Sequence, residues 1–159
     1  MEIWKILAVL AIIGVVIGAA KAYTSTDTIT AQVTVPSICV VSLSTNSIDF
    51  GTVNAGADTG SANQQVNITN TGNTQATSTT IKGTDWSDGG VNSFAVGNTE
   101  WSTSAFTYGS GTDLTTTDAT IPGGNLNPGS SLTLYFGVGV PSGQAAATYT
   151  QTITITMNC

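Results

Sequence analysis

Few residues of this chain have side chains that commonly carry out catalysis. There is no histidine, so the many serines lack the usual base that activates a nucleophilic hydroxyl. A Gly-x-Ser-x-Gly turn is also absent from the sequence. Asp85 and Asp88 are close enough in sequence to suggest paired carboxylates for glycoside hydrolysis. The run DWSDGG at residues 85–90 is more simply a loop, and we therefore predict no catalytic residue and no enzymatic activity.

Acidic side chains in loops are also the ligands that calcium prefers. Asp85 and Asp88 are weak candidates for such a site, and Glu100, Asp113 and Asp118 follow them in the same glycine-rich region. The ligand spacing of an EF-hand is absent, so a solvated loop is the simpler interpretation. We expect no metal site and no cofactor.

The balance of charge excludes a further class of function. The chain has a net charge of −6, and Lys82 is the only basic residue after Ala22. Nucleic-acid binding requires clustered lysine and arginine, so we expect no nucleic-acid partner. Charged residues make up only 8% of the chain, and threonine, serine and asparagine supply the polar surface instead. Abundant threonine suits extended sheets.

The chain contains two cysteines, Cys39 and Cys159. In an oxidising compartment these two residues are expected to form a disulfide. That bond would close a loop of about 120 residues and stabilise the fold by roughly 4–5 kcal/mol according to the chain-entropy description. Two separate buried thiols are the alternative.

Two further features suggest contact with carbohydrate. Asn67 begins the only Asn-x-Ser/Thr sequon and is a candidate glycosylation site, although a chance match explains it equally well. Trp86, Trp101 and Tyr108 are candidates for an aromatic platform that binds a sugar. Such residues more often pack in a core or an interface.

The first 22 residues are typical of an export signal. Lys5 lies in a short charged start, residues 6–20 are uncharged and apolar, and Ala20-Lys21-Ala22 supplies small residues before a cut. We predict a signal peptide at residues 1–22 and a secreted protein on the cell surface or in an extracellular filament. The alternative is a retained anchor helix at residues 3–20, which would be the only association of the protein with a membrane.

Hydrophobic periodicity in the remainder predicts an all-β fold. Ile29, Ala31, Val33 and Val35 alternate with polar residues, which predicts a strand at residues 28–35 with one apolar face. Further strands are predicted at residues 38–43, 48–53, 65–69, 77–84, 132–140 and 147–157. With about seven to nine strands in total, a two-sheet sandwich is the economical way to bury the apolar faces.

Two motifs resemble a widespread immunoglobulin-like pattern. Residues 48–56 read IDFGTVNAG, and residues 66–73 read VNITNTGN. In those domains a strand with the pattern I-x-F-G-x-V leads to a small turn, and a second strand ends in N-T-G. The closing residues 128–150 are similar to the last hairpin of the same domains. The resemblance covers most of residues 45–157 and implies an immunoglobulin-like sandwich, but it says little about function.

A narrower resemblance concerns the organisation of the chain. A leader, an alternating strand at the mature N-terminus and a threonine-rich sandwich look like secreted archaeal pilus and thread subunits and the TasA/camelysin-like fibre proteins. In that group the N-terminal strand inserts into the sheet of the next subunit. The resemblance implies a homopolymeric filament subunit, with Ile29, Ala31, Val33 and Val35 as the inward-facing residues of an assembly strand. It divides the chain into a leader (1–22), an assembly strand with its linker (23–37) and a sandwich (38–159).

Three alternatives remain open from the sequence. Residues 28–35 fit equally well as the first strand of their own domain. A second alternative is a type IV pilin-like subunit held by a retained N-terminal helix, although Trp4-Lys5 does not fit the small residue that usually precedes the pilin processing site. The third is a monomeric cell-surface adhesion or carbohydrate-binding domain.

Overall fold

A computed structural model describes residues 24–159 of the chain. The chain divides into two compact units, Met1–Val35 and Pro36–Cys159. The predicted leader or anchor helix at residues 1–22 lies outside the described residues. Within residues 24–159 the structure contains no helix with the length and apolar character needed to cross a membrane. Residues 24–35 of the first unit belong to no strand.

Regular structure in the second unit is almost entirely β. In chain order the elements are β1 (Val41–Leu43), β2 (Gln64–Asn70), β3 (Ser78–Gly83), β4 (Trp86–Ser87), β5 (Ser93–Phe94), a 3-10 helix (Val96–Asn98), β6 (Thr99–Ser102), β7 (Thr112–Asp113), β8 (Ala119–Thr120), β9 (Ser131–Val138) and β10 (Ile153–Asn158).

A five-stranded sheet has the order β1-β2-β9-β6-β7, and every neighbouring pair is antiparallel. Alternation along β2 separates its two faces, because successive side chains of a strand point to opposite sides. Val66 and Ile68 are buried, and Val66 lies opposite the buried Leu134 of β9. On the opposite, outer face of the sheet, the Thr133 hydroxyl donates a hydrogen bond to Asn67 Oδ1 at 2.7 Å. This sheet therefore has one apolar and one polar side.

A three-stranded sheet, in the order β10-β3-β8, supplies the other side of the core. Ile81 of β3 is fully buried, and Ile153 and Ile155 of β10 pack against the same cluster as Leu134 and Phe136 of the first sheet. One apolar core is thus shared by two antiparallel sheets. The predicted all-β fold is confirmed.

Two of the predicted strands are not strands in this structure. Residues 48–53 follow the expected apolar pattern, and Ile48 and Phe50 pack against the core. Their backbone nevertheless pairs with no strand, so the prediction was wrong there. Residues 28–35 likewise belong to no strand of either sheet. A strand exists only where a second backbone accepts and donates its hydrogen bonds, and periodicity carries no information about that partner.

The turn after β2 holds the beginning of the second unit. Asn73 accepts the Ile38 N–H through Oδ1 at 2.7 Å, donates from Nδ2 to the Pro36 carbonyl at 2.8 Å, and donates its own N–H to the Ile38 carbonyl at 2.9 Å. Gly72 allows this close approach, because a Cβ at that position would overlap the carbonyl oxygen of Ile38. The N-T-G-N motif therefore fixes the path of residues 36–40.

Replacing Gly72 with alanine is expected to destabilise the protein by about 1–4 kcal/mol, because two or three hydrogen bonds at about 0.5–1.5 kcal/mol each are lost when Ile38 is displaced. The matched control is Gly97→Ala. A Cβ there meets its nearest atom, the Leu114 carbonyl oxygen, at 3.8 Å, which is ordinary van der Waals contact. Urea unfolding of both variants measures the difference, and equal midpoints would contradict the role given to Gly72.

Candidate functional site

An open groove lies at the edge of the core, between the two sheets. It consists of two adjoining cavities of about 270 and 280 Å³, which share Ile48, Phe50, Trp86 and Tyr149 as lining residues. One wall comes from the chain between residues 43 and 53, and the other comes from residues 147–155. Every lining residue belongs to the second unit. The groove leaves part of the apolar core uncovered.

The wall formed by β10 presents an unpaired sheet edge. Thr84 donates its N–H to the Thr152 carbonyl at 3.0 Å, and the register continues without a shift to Ser78 opposite Asn158. In an antiparallel pair only alternate residues direct their backbone groups towards the partner. Ile153 and Ile155 therefore direct theirs away from β3, where β10 has no further strand in the described part of the chain. Their side chains meanwhile point into the core.

The same alternation of backbone direction extends to the residues that precede β10. Thr150 exchanges two backbone hydrogen bonds with Ser87, at 2.8 and 2.9 Å. Tyr149 and Gln151 thus fall on the same side as Ile153 and Ile155, and all four line the groove. This row of alternating residues combines unpaired backbone groups with side chains that face the cavity.

The opposite wall is also unpaired. Residues 48–53 form no backbone hydrogen bond with any other residue in the described part of the chain. The Gly51 N–H is satisfied locally by Asp49 Oδ1 at 2.8 Å. Asp49 is the only charged residue that lines either cavity. The groove is thus a nearly uncharged slot with a mixed polar and apolar lining and with open backbone groups on both walls.

Aromatic side chains pack at the middle of the groove. The rings of Trp86 and Phe94 stack with a centroid distance of 5.5 Å, and Tyr149 meets Phe94 edge-on at 5.2 Å. Phe50 approaches Trp86 at 6.2 Å. The indole N–H of Trp86 donates to the Thr99 hydroxyl at 2.9 Å, so this ring is held in place.

The predicted Cys39–Cys159 disulfide is present. It joins residues whose Cα atoms are 5.9 Å apart and whose positions differ by 120 in sequence. The Cys39 sulfur also lies 3.8 Å from the Met157 carbonyl oxygen. The disulfide therefore lies beside the free edge of β10 at Met157.

The predicted assembly residues form an exposed apolar row in the first unit. Ile29 is 96% exposed, Val33 is 85% exposed and Val35 is 71% exposed, and Ala31 between them is also exposed. Large apolar side chains left in water in a regular row usually mark a surface that is covered by a partner.

The calcium candidates are used as hydrogen-bond acceptors within their own loop. Asp85 Oδ1 accepts the Val96 N–H at 2.8 Å. Asp88 accepts the Gly90 N–H and the Asn92 side-chain amide, each at 2.7 Å. The hydrogen bond from the Asn92 side chain, helped by that from Gly90, lowers the pKa of Asp88 below its ordinary value. Within residues 24–159, no three acidic or cysteine side chains converge as metal ligands.

The remaining candidates are dispersed over the fold. Asn67 is exposed on β2 of the five-stranded sheet. Trp101 is buried in the core, whereas Trp86 lines the groove, so these two and Tyr108 do not form one exposed platform. Tyr108 donates its hydroxyl to the Asn98 carbonyl at 3.3 Å, and partial burial raises its pKa.

Sequence reasoning missed the groove and one buried charge. β10 pairs with β3 on one side and is free on the other because of how distant segments pack. No local sequence pattern therefore marks Tyr149 and Gln151 as edge residues. Glu100 is buried on β6, where its carboxylate accepts the N–H groups of Gly109 and Gly111. The glycine-rich run at residues 109–111 was the available signal, because closely spaced glycines leave backbone N–H groups free for an anion.

Comparison with known proteins adds no assignment, because no family model and no curated protein matches this chain.

Proposed function

We propose that this protein is the structural subunit of an extracellular filament and polymerises by inserting residues 28–35 into the groove of a neighbouring copy. The sandwich is then an immunoglobulin-like domain that lacks one strand, and the strand of the neighbour completes it. The observation that carries the proposal is complementarity within one chain. An exposed segment with apolar residues at every second position occurs together with a nearly uncharged groove that is bounded by unpaired backbone and lined in part by Ile48, Phe50, Ile153 and Ile155.

The chemistry of the two partners agrees. Residues 28–35 carry no charged side chain, and the groove has only Asp49. Covering Ile29, Val33 and Val35 would contribute about 1.5–3 kcal/mol for each side chain. Each new backbone hydrogen bond adds roughly 0.5–1.5 kcal/mol. These contributions are large enough to oppose the entropic cost of association.

Insertion between copies produces a polymer rather than a closed dimer. The donor segment and the acceptor groove are different surfaces, so each subunit can donate to one neighbour while accepting from another. Such heterologous contacts propagate unless a rotation closes the ring. An extended strand added to an open sheet edge is an established mode of recognition.

The proposed location outside the cell rests on the disulfide and on the leader. Disulfides persist in oxidising compartments and are rare in the cytosol, and this chain joins both of its cysteines. The predicted signal peptide at residues 1–22 provides the export route. The uncharged polar outer faces of the sheets suit a subunit that packs closely against others.

Deleting residues 24–35 tests the proposal and its competitors. We expect electron microscopy to show filaments for the full-length protein and dispersed monomers for the deletion variant, since the donor segment has been removed. Filaments that persist after the deletion would favour assembly through a retained N-terminal helix, as in type IV pilins. A full-length protein that stays monomeric at high concentration, with residues 28–35 paired in its own sheet, would favour an adhesion or carbohydrate-binding domain.

A further inference from the structure

We infer that residues 48–53 are a second docking edge of the groove, so that the strand inserted from a neighbouring copy is hydrogen-bonded on both of its sides. This inference rests on the proposed function, but it concerns a separate property, namely which backbone the far side of the inserted strand meets. Residues 48–53 line the wall opposite residues 147–155. The acceptor therefore offers two edges rather than one.

An inserted strand carries backbone groups that need partners on both of its sides. Alternate residues of a strand direct their N–H and C=O groups to opposite neighbours. Pairing with the free side of residues 149–155 therefore satisfies only half of these groups in residues 28–35. The other half are directed towards the opposite wall. Backbone groups that are buried are almost always paired, so that wall must supply the missing partners.

Residues 48–53 have the free backbone groups that such pairing requires. All six residues line one cavity, although successive side chains of an extended chain point to opposite sides, so the backbone itself borders the groove. The segment contains no proline and forms no backbone–backbone hydrogen bond in the described part of the chain. Its flanks are nevertheless anchored, because Ser44 donates its N–H to the Asn67 carbonyl at 2.9 Å and Gly56 donates its N–H to the Val140 carbonyl at 2.8 Å.

The conformation of Gly51 suits a strand that contains a bulge. Ile48, Phe50 and Val53 are half-buried, whereas the other three residues of this segment are exposed. The inward-facing row thus contains one extra residue after Phe50. A β-bulge inserts one extra residue into a strand, and one common type places a left-handed glycine at its first position. Gly51 has a φ of +69°, so the segment already has the backbone that keeps all three apolar side chains on one face.

The N–H group of Gly51 needs no partner in the inserted strand. A bulge leaves its extra residue out of the ladder of hydrogen bonds. Asp49 Oδ1 accepts the Gly51 N–H at 2.8 Å, so pairing of the other residues leaves no donor of this turn unsatisfied. The segment is therefore prepared for an added strand without a rearrangement of its own.

Hydrogen–deuterium exchange of the wild-type protein, as filaments and as monomers kept below the critical concentration, tests this assignment. Apart from that of Gly51, the amides of residues 48–53 donate no hydrogen bond within the described residues and should exchange rapidly in the monomer. In the filament we expect exchange to slow at least about tenfold for half of the amides in residues 48–53 and in residues 149–155, since only alternate residues face an added strand. Residues 88–91 line neither cavity and serve as the unchanged control.

Gly51→Val tests the bulge, and Gly123→Val is its matched control. Both glycines have a positive φ, +69° and +75°, and a Cβ at either position meets no atom within 4 Å. A β-branched residue strongly disfavours this region, but only Gly51 lines the groove. We expect Gly51→Val to raise the critical concentration roughly tenfold or more, because several hydrogen bonds of the second edge are lost. Gly123→Val should leave it unchanged, and circular dichroism verifies that both monomers are folded.

The outcomes separate this inference from the proposed function. Filaments in which residues 149–155 gain protection and residues 48–53 do not would overturn the second docking edge and leave strand insertion intact. Equal critical concentrations for the two valine variants would also count against it. If neither segment gains protection on assembly, or if no filaments form, the proposed function itself is refuted and this inference with it. Should Gly51→Val fail to fold, the exchange measurement on the wild-type protein still decides.

Discussion

Replacing Val33 with aspartate in the full-length protein is expected to abolish polymerisation, whereas the same change at Gln32 leaves it intact. In the monomer Val33 is 85% exposed, so a charge there is solvated and folding is unaffected. In the inserted strand that carboxylate would face the groove without a counter-charge, since the only charged residue that lines it is Asp49. Burying an unpaired charge costs at least several kcal/mol. A penalty of about 3 kcal/mol already raises the critical concentration roughly 100-fold.

Gln32→Asp is a matched control because it adds the same charge one residue away. Alternation places position 32 on the opposite face of the inserted strand, where water solvates the carboxylate. Sedimentation of polymer and electron microscopy measure both variants, and circular dichroism verifies that each monomer remains folded. Val33→Asp filaments that form at the wild-type concentration would contradict burial of this residue at the interface.

Removing the disulfide is expected to lower the free energy of unfolding by about 4–5 kcal/mol, because the bond spans 120 positions and restricts the unfolded chain. The measurement is best made in the Val33→Asp background, since polymerisation would otherwise add to the apparent stability of the subunit. Equilibrium unfolding in urea of the Cys39→Ser/Cys159→Ser variant gives the difference. A steeper dependence on urea concentration in that variant would show that the unfolded chain expands when the cross-link is removed.

Reductant provides the control for this measurement. It should destabilise the cysteine-containing protein by a similar amount and leave the double-serine variant unchanged. A loss well below 2 kcal/mol would mean that the unfolded chain is already compact around residues 39 and 159, so that the cross-link removes little entropy.

Local pattern determined the four longest strands, β2, β3, β9 and β10. Alternation of Val66 and Ile68 with Asn67 predicted β2, and the run at residues 132–140 predicted β9. These predictions succeeded because each strand buries one face. Burial of that face requires apolar side chains at every second position, and the sequence shows that pattern. The disulfide could be predicted because the chain contains only two cysteines, so neither has another cysteine with which to pair.

Residues 48–53 and 28–35 show where local pattern fails. Both segments alternate like strands, yet neither pairs within the described chain, since pairing depends on which edge remains free. Side-chain periodicity reports which face is apolar, while the hydrogen-bond partner is supplied by residues far away in sequence.

The sequence by itself predicted an all-β protein with one disulfide, without the histidine that many hydrolytic sites use, and with an uncharged segment of alternating apolar residues at positions 28–35. The tertiary structure decided that β10 pairs on one side only and that a groove remains beside its free edge. The physical reason is that a residue's own chemistry is local, whereas an unfilled space exists only after distant segments have packed around it.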